Sequence, residues 1–144
     1  MKQLAQSLAT LQSIWPSLDP GQKDDFTGKY FLSEFFSLCP AAKKKFEEKK
    51  IDVETHTKKL IETFNFAFDS STATGALVGA LTSIGEAHAE ITPMYYYFVI
   101  VSFLIALRKF MGDAWTEEIG EDAFCVLEFV SQAMQKGAAE KGLE

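Results

Sequence analysis

Two cysteines, two histidines and four prolines are all that this chain of 144 residues contains of those types, and each scarcity closes off a class of protein. Cys39 and Cys125 lie among apolar neighbours without CxxC spacing, which leaves neither a disulfide framework nor a thiolate cluster and predicts reduced core thiols. The few prolines leave long stretches free to be helical. Apolar and polar residues never alternate for long enough to make a strand, so sheet architectures are excluded and the expected class is all-α. Basic charge is in deficit: a net charge of −6 argues against nucleic acid or an anionic membrane as the main partner. Repeats and low-complexity linkers are absent. With 47% apolar residues, the chain suits one domain over residues 1–144, with 136–144 expected as a polar tail. No uncharged apolar leader precedes Leu4, Leu8 and Leu11, so a cytoplasmic protein is expected. The most hydrophobic run, residues 95–107, ends at Arg108 and Lys109 short of the ~20 residues of a membrane span, and reads as a buried helix.

Helical periodicity fills the space these absences leave. Leu4, Leu8, Leu11 and Trp15 define a first helix. Asp19-Pro20-Gly21-Gln22 supplies an N-cap, a first-turn proline and a reciprocal capping residue for a second, which runs through Phe26, Tyr30, Phe35 and Phe36 to about Leu38. Pro40 opens a short turn of helix carrying Phe46. A third long helix, from about Asp52 to Asp69, has the inner stripe Val53, His56, Leu60, Phe64 and Ala67. A glycine-containing helix then carries Leu77, Leu81, Ile84 and His88. Thr92-Pro93 starts the hydrophobic helix that ends near Met111-Gly112. Thr116 caps the last, which holds Ile119, Phe124, Leu127, Val130 and Met134. The cluster Lys43, Lys44, Lys45, Lys49 and Lys50, diluted by Glu47 and Glu48, reads as a solvated corner.

The two histidines carry the chemistry. Each sits on an apolar stripe, and a polar ring aimed at a core needs a partner there, for which an iron-bearing cofactor is the natural candidate. In order along the chain, Trp15, the segment Phe35-Phe36-Ser37-Leu38-Cys39-Pro40, Phe46, His56, the segment Leu81-Thr82-Ser83-Ile84-Gly85-Glu86-Ala87-His88 and the turn Phe110-Met111-Gly112-Asp113-Ala114-Trp115-Thr116 together resemble the globin family. The resemblance covers almost the whole chain. His56 and His88 stand 32 positions apart, a separation similar to that of neuroglobin-like members.

That resemblance implies a three-over-three helical sandwich holding haem b. It makes His88 the proximal iron ligand and His56 the distal residue, donating to bound dioxygen or serving as a sixth ligand. Phe46, Leu32, Leu60, Lys59, Phe64, Ile84, Tyr96 and Val99 become cofactor contacts, with Lys59 a propionate partner at the rim. A register shift of one would put Phe31 in place of Leu32. Phe46 lies ten positions before His56, which leaves no room for an extra small helix and resembles the shorter bacterial layout. Ala87 stands where some globins have serine, so the Ile84 carbonyl must orient the His88 imidazole alone. The implied function is reversible binding of dioxygen and other diatomic gases, for storage or transport, rather than catalysis. Three alternatives stand beside it: a six-coordinate redox or gas sensor, a nitric oxide dioxygenase or peroxidase served by an external reductase, and a globin-shaped scaffold without haem.

Overall fold

A computed structural model describes residues 3–89 and 93–142. Among the described residues every element is helical and none is a strand, as the missing alternation requires. Helix α1 (Leu4–Ile14) leads through a 3-10 turn at Trp15–Ser17 into α2 (Pro20–Asp24). Asp19 caps α2: its carboxylate accepts from the Gln22 amide at 2.8 Å, while the Gln22 side chain accepts from the Asp19 amide at 2.9 Å.

The rod continues without a break through a π-helical stretch, Asp25–Leu32, into α3 (Ser33–Leu38). Its buried residues, Phe26, Thr27, Phe31 and Leu32, pair at a spacing of five, the interval of an i→i+5 helix. This wider winding turns both Phe31 and Leu32 inward, so the choice of register between them dissolves. Helix α4 (Pro40–Glu48) follows, then α5 (Val53–Ala67), α6 (Thr74–Ala87), α7 (Pro93–Met111) and α8 (Glu117–Gly142). Asp52 caps α5 and Thr116 caps α8, the latter accepting from the Ile119 amide at 3.2 Å. Thr92, expected to cap α7, lies outside the described residues.

An aromatic cluster fills the centre. Phe103 meets Phe26 at 5.2 Å, Phe64 at 5.7 Å and Phe31 at 5.7 Å between ring centroids, all edge-to-face. Such contacts add about 0.5–1.5 kcal/mol each beyond the area they bury. Trp15 is buried at the margin, its indole N–H donating to Asn65 Oδ1 at 2.8 Å. Across the molecule, α1 is pinned to α8 by Ser7 and Thr10, whose hydroxyls donate to the buried Asp122 carboxylate at 3.1 and 2.6 Å.

Four expectations need correction. Val53 and Phe124 are exposed, at 42% and 46%, because no neighbouring helix covers their part of the stripe. The polar tail is helix as far as Gly142, and Gly137 within it is buried against α6. The apolar helix is not too short for a bilayer: the stretch Pro93–Ala114, 22 residues of hydropathy 1.4, would be long enough. Its inward stripe of Phe103, Ala106 and Leu107 is instead part of the central cluster. Both cysteines are free thiols, as expected, Cys39 buried in the core and Cys125 only half-buried.

Candidate functional site

The site lies between α5 and α6. His88 closes the C-terminal end of α6, half-buried, and its Nδ1 lies 2.7 Å from the Ile84 carbonyl oxygen. A carbonyl only accepts, so Nδ1 carries the proton, and in the neutral ring Nε2 keeps its lone pair. Ile84 thus makes the contact expected of it, one helical turn before the imidazole.

What sets the direction of α6 is its crossing with α8. A Cβ added at Gly85 would stand 1.9 Å from the Met134 carbonyl oxygen, and one at Gly137 would stand 2.1 Å from that of Thr82. The two backbones therefore touch through a pair of glycines. In the sequence these glycines look only like weak helix formers; the position of Gly85, three before His88, is the signal that was there to read.

His56 is placed by the start of α5. Thr55 donates to the Asp52 carboxylate from its hydroxyl at 2.6 Å and from its amide at 3.3 Å, and these bonds hold that carboxyl below its usual range. His56 is half-buried, and its ring meets Phe46 of α4 edge-on at 5.0 Å. Burial lowers its pKa below the ordinary 6.5, and the nearby His88 and Lys59 lower it further. The His88 imidazole is close enough to act on His56, which is held neutral.

Between the same two helices runs a cleft of about 330 Å³. Helix α5 lines it with Lys59, Glu62, Thr63 and Phe66, and α6 with Leu77, Ala80, Leu81 and Ile84. Its volume falls in the ~300–1,000 Å³ range of small-molecule pockets, and its floor is apolar under a charged rim.

Of the expected cofactor contacts, Lys59 and Ile84 line this cleft, whereas Leu60, Phe46 and the two histidines are not on its walls. Phe64 and Leu32 belong to the aromatic core, Phe64 packing on Trp15 at 5.3 Å and Leu32 buried within the central cluster. Val99 and Leu60 are half-buried against that cluster.

Tyr96 is the exception. It is 6% exposed, stands apart from the central cluster, and its hydroxyl has no hydrogen-bond partner among the described residues. Burial raises the pKa of this phenol above 10.0. A buried, unpaired donor of this kind costs about 1–3 kcal/mol until something accepts from it. Tyr95 and Tyr97 flank it in half-buried and exposed positions, a difference that three consecutive tyrosines in a sequence cannot reveal.

Among the described residues no group of three His, Cys, Asp or Glu is gathered to hold a bare metal ion. The donor set is one imidazole from each side of a helix pair. Comparison with known proteins adds no assignment: no family model, no curated protein and no solved structure matches the chain.

Proposed function

We propose that this chain is a globin-like haem protein, a three-over-three helical sandwich that binds dioxygen and other diatomic gases reversibly. The observation that carries this reading is the bond from His88 Nδ1 to the Ile84 carbonyl. It fixes one tautomer, anchors the ring to its own helix and leaves Nε2 as a lone-pair donor, the arrangement by which a protein prepares a histidine to bind a metal. Two further observations support this reading: His56 is neutral with His88 nearby, and Lys59 and Ile84 share the cleft between the same two helices, although neither histidine lines it.

Haem, when bound, would supply an iron that His88 could hold and that could take up a gas. The chain's own residues do the rest. His88 presents Nε2. His56, neutral, would donate an N–H to the gas and stabilise it by about 1–2 kcal/mol. Leu60 would supply an apolar neighbour one turn beyond His56, and Lys59 would pair with the acidic groups of the cofactor.

Titration of the purified chain with haemin tests this. The expected result is a saturable Soret band at one equivalent. His88→Ala should abolish stable haem retention. His56→Leu should keep the haem and accelerate oxygen dissociation about tenfold. An unchanged off-rate in His56→Leu would overturn the role given to that residue. A second reading, with His56 as a sixth ligand, draws on the closeness of the two rings. Sharply split visible bands in the reduced, gas-free protein would establish it, and one broad band would favour the open site.

A further inference from the structure

Charge is distributed unevenly along this chain. Residues 43–59 hold seven of the 14 Lys and Arg but only four of the 20 Asp and Glu, a local balance of +3 against −9 for all other positions. The segment is α4, its connection and the beginning of α5, which carry Phe46 and His56. Lys43, Lys44, Lys49, Lys50, Lys58 and Lys59 are all exposed. The Lys44–Glu48 pair spans 4.0 Å with both side chains mostly in solvent, and neutralises little. Lys45 is drawn against α7, its ammonium 5.8 Å from the Tyr95 ring centroid. Lys50 holds a left-handed backbone, φ 56°, where glycine would be easier.

We propose that this lysine-rich rim is a docking surface for an acidic one-electron donor protein. The inference rests on the haem reading above for what the electron does. Charge complementarity selects the partner: an acidic protein is repelled by most of this surface and attracted to one segment, which orients it before contact. Position selects its chemistry. Phe46 shares α4 with Lys43, Lys44 and Lys45, and its ring touches His56, so a partner seated on α4 stands beside the candidate site. The electron balance is simple. One electron leaves the reduced donor and converts ferric to ferrous iron, with no bond made or broken in the protein.

The probe is an acidic plant-type [2Fe–2S] ferredoxin, fluorescently labelled and titrated into the cofactor-free chain. Binding should weaken about tenfold or more between low and physiological salt. The combined change Lys43→Glu, Lys44→Glu, Lys50→Glu should weaken it by a similar factor, whereas Glu117→Lys on the far helix should change it less than about twofold. In stopped flow, the same triple variant, loaded with ferric haem, should be reduced about tenfold more slowly by the ferredoxin and at an unchanged rate by a small neutral flavin semiquinone. Ferredoxin binding that ignores charge reversal would overturn the proposal. So would equal slowing with both reductants, or tighter binding of phosphatidylserine vesicles than of ferredoxin. If no Soret band forms while salt-dependent ferredoxin binding persists, the haem reading fails and the docking surface stands.

Discussion

On the His88 side of the candidate site, α6 lies against α8 with backbone on backbone through Gly85 and Gly137; on the His56 side, α5 follows α4 after a connection of four residues and meets it through the Phe46 ring. The first contact has no slack, because two helix backbones cannot yield. The second consists of a ring edge and a capped helix start in solvent, with Asp52, Val53, Glu54 and Thr55 all exposed. The difference teaches how such a site can be both fixed and adaptable. One imidazole is anchored to its own helix, while the opposite one can shift at small cost.

The comparison breaks most visibly at Gly85. A methyl group there would overlap the Met134 carbonyl, so Gly85→Ala should force α6 away from α8 and destabilise the protein by about 3 kcal/mol. Gly137→Ala should act alike through Thr82. Gly79 in the same helix has nothing within 4 Å of the corresponding position, so Gly79→Ala should stabilise by about 0.5–1 kcal/mol. Urea unfolding of the three variants measures this. Equal effects at positions 79 and 85 would show that helix propensity, rather than the crossing, governs α6.

The histidine on the looser side gives an intermediate effect with a defined sign. The unfolded chain takes up a proton on His56 near pH 6.5, whereas the folded chain does so only at lower pH because burial, His88 and Lys59 oppose it. Between those two values the unfolded state binds more protons, so stability falls as pH drops through 6.5. The loss is complete once the folded-state pKa has been passed. His56→Gln should remove this part of the pH slope, leaving the separate loss at lower pH that comes from Asp52 and Asp69, whose pKa values are also lowered. Denaturation midpoints between pH 7.5 and 5 test it. An unaltered slope would mean that the imidazole is already well solvated.

Much of this was legible before any coordinates. Caps are local chemistry, so Asp19 with Gln22 and Thr116 could be placed from the residues themselves. Helical stripes brought Leu81, Ile84 and His88 into one line, and the tie from the imidazole to Ile84 follows from a spacing of four. Periodicity says nothing of what covers a stripe, however, and Val53 and Phe124 are exposed for want of a facing helix. The π-helical stretch was invisible because its bonds differ from α-helical ones by one residue, and no side-chain pattern short of the pairing 26/31 and 27/32 announces it. The continuation of α8 past Lys136 depends on Gly137 meeting Thr82, a contact between segments far apart in sequence. Tyr96 was named beside Val99 as a contact, but only the packing separates its buried hydroxyl from those of its two neighbours.

The smallest expected effect sharpens the looser side of the comparison. Helix α4 ends in a Schellman motif: the Ile51 amide donates to the Phe46 carbonyl at 2.9 Å and the Lys50 amide to that of Glu47 at 3.2 Å, with Lys50 at the left-handed position. A side chain there costs about 1–2 kcal/mol, partly offset by the greater freedom that glycine has in the unfolded chain. Lys50→Gly should therefore stabilise by about 0.5 kcal/mol and raise Tm by about 2 °C. Since Phe46 accepts the outer bond of this motif, the same change should hold its ring more firmly against His56 while removing one charge from the rim. Stability and ferredoxin affinity should then move in opposite directions. A variant that lost both would show that Lys50 supports the connection by some contact other than its backbone angle.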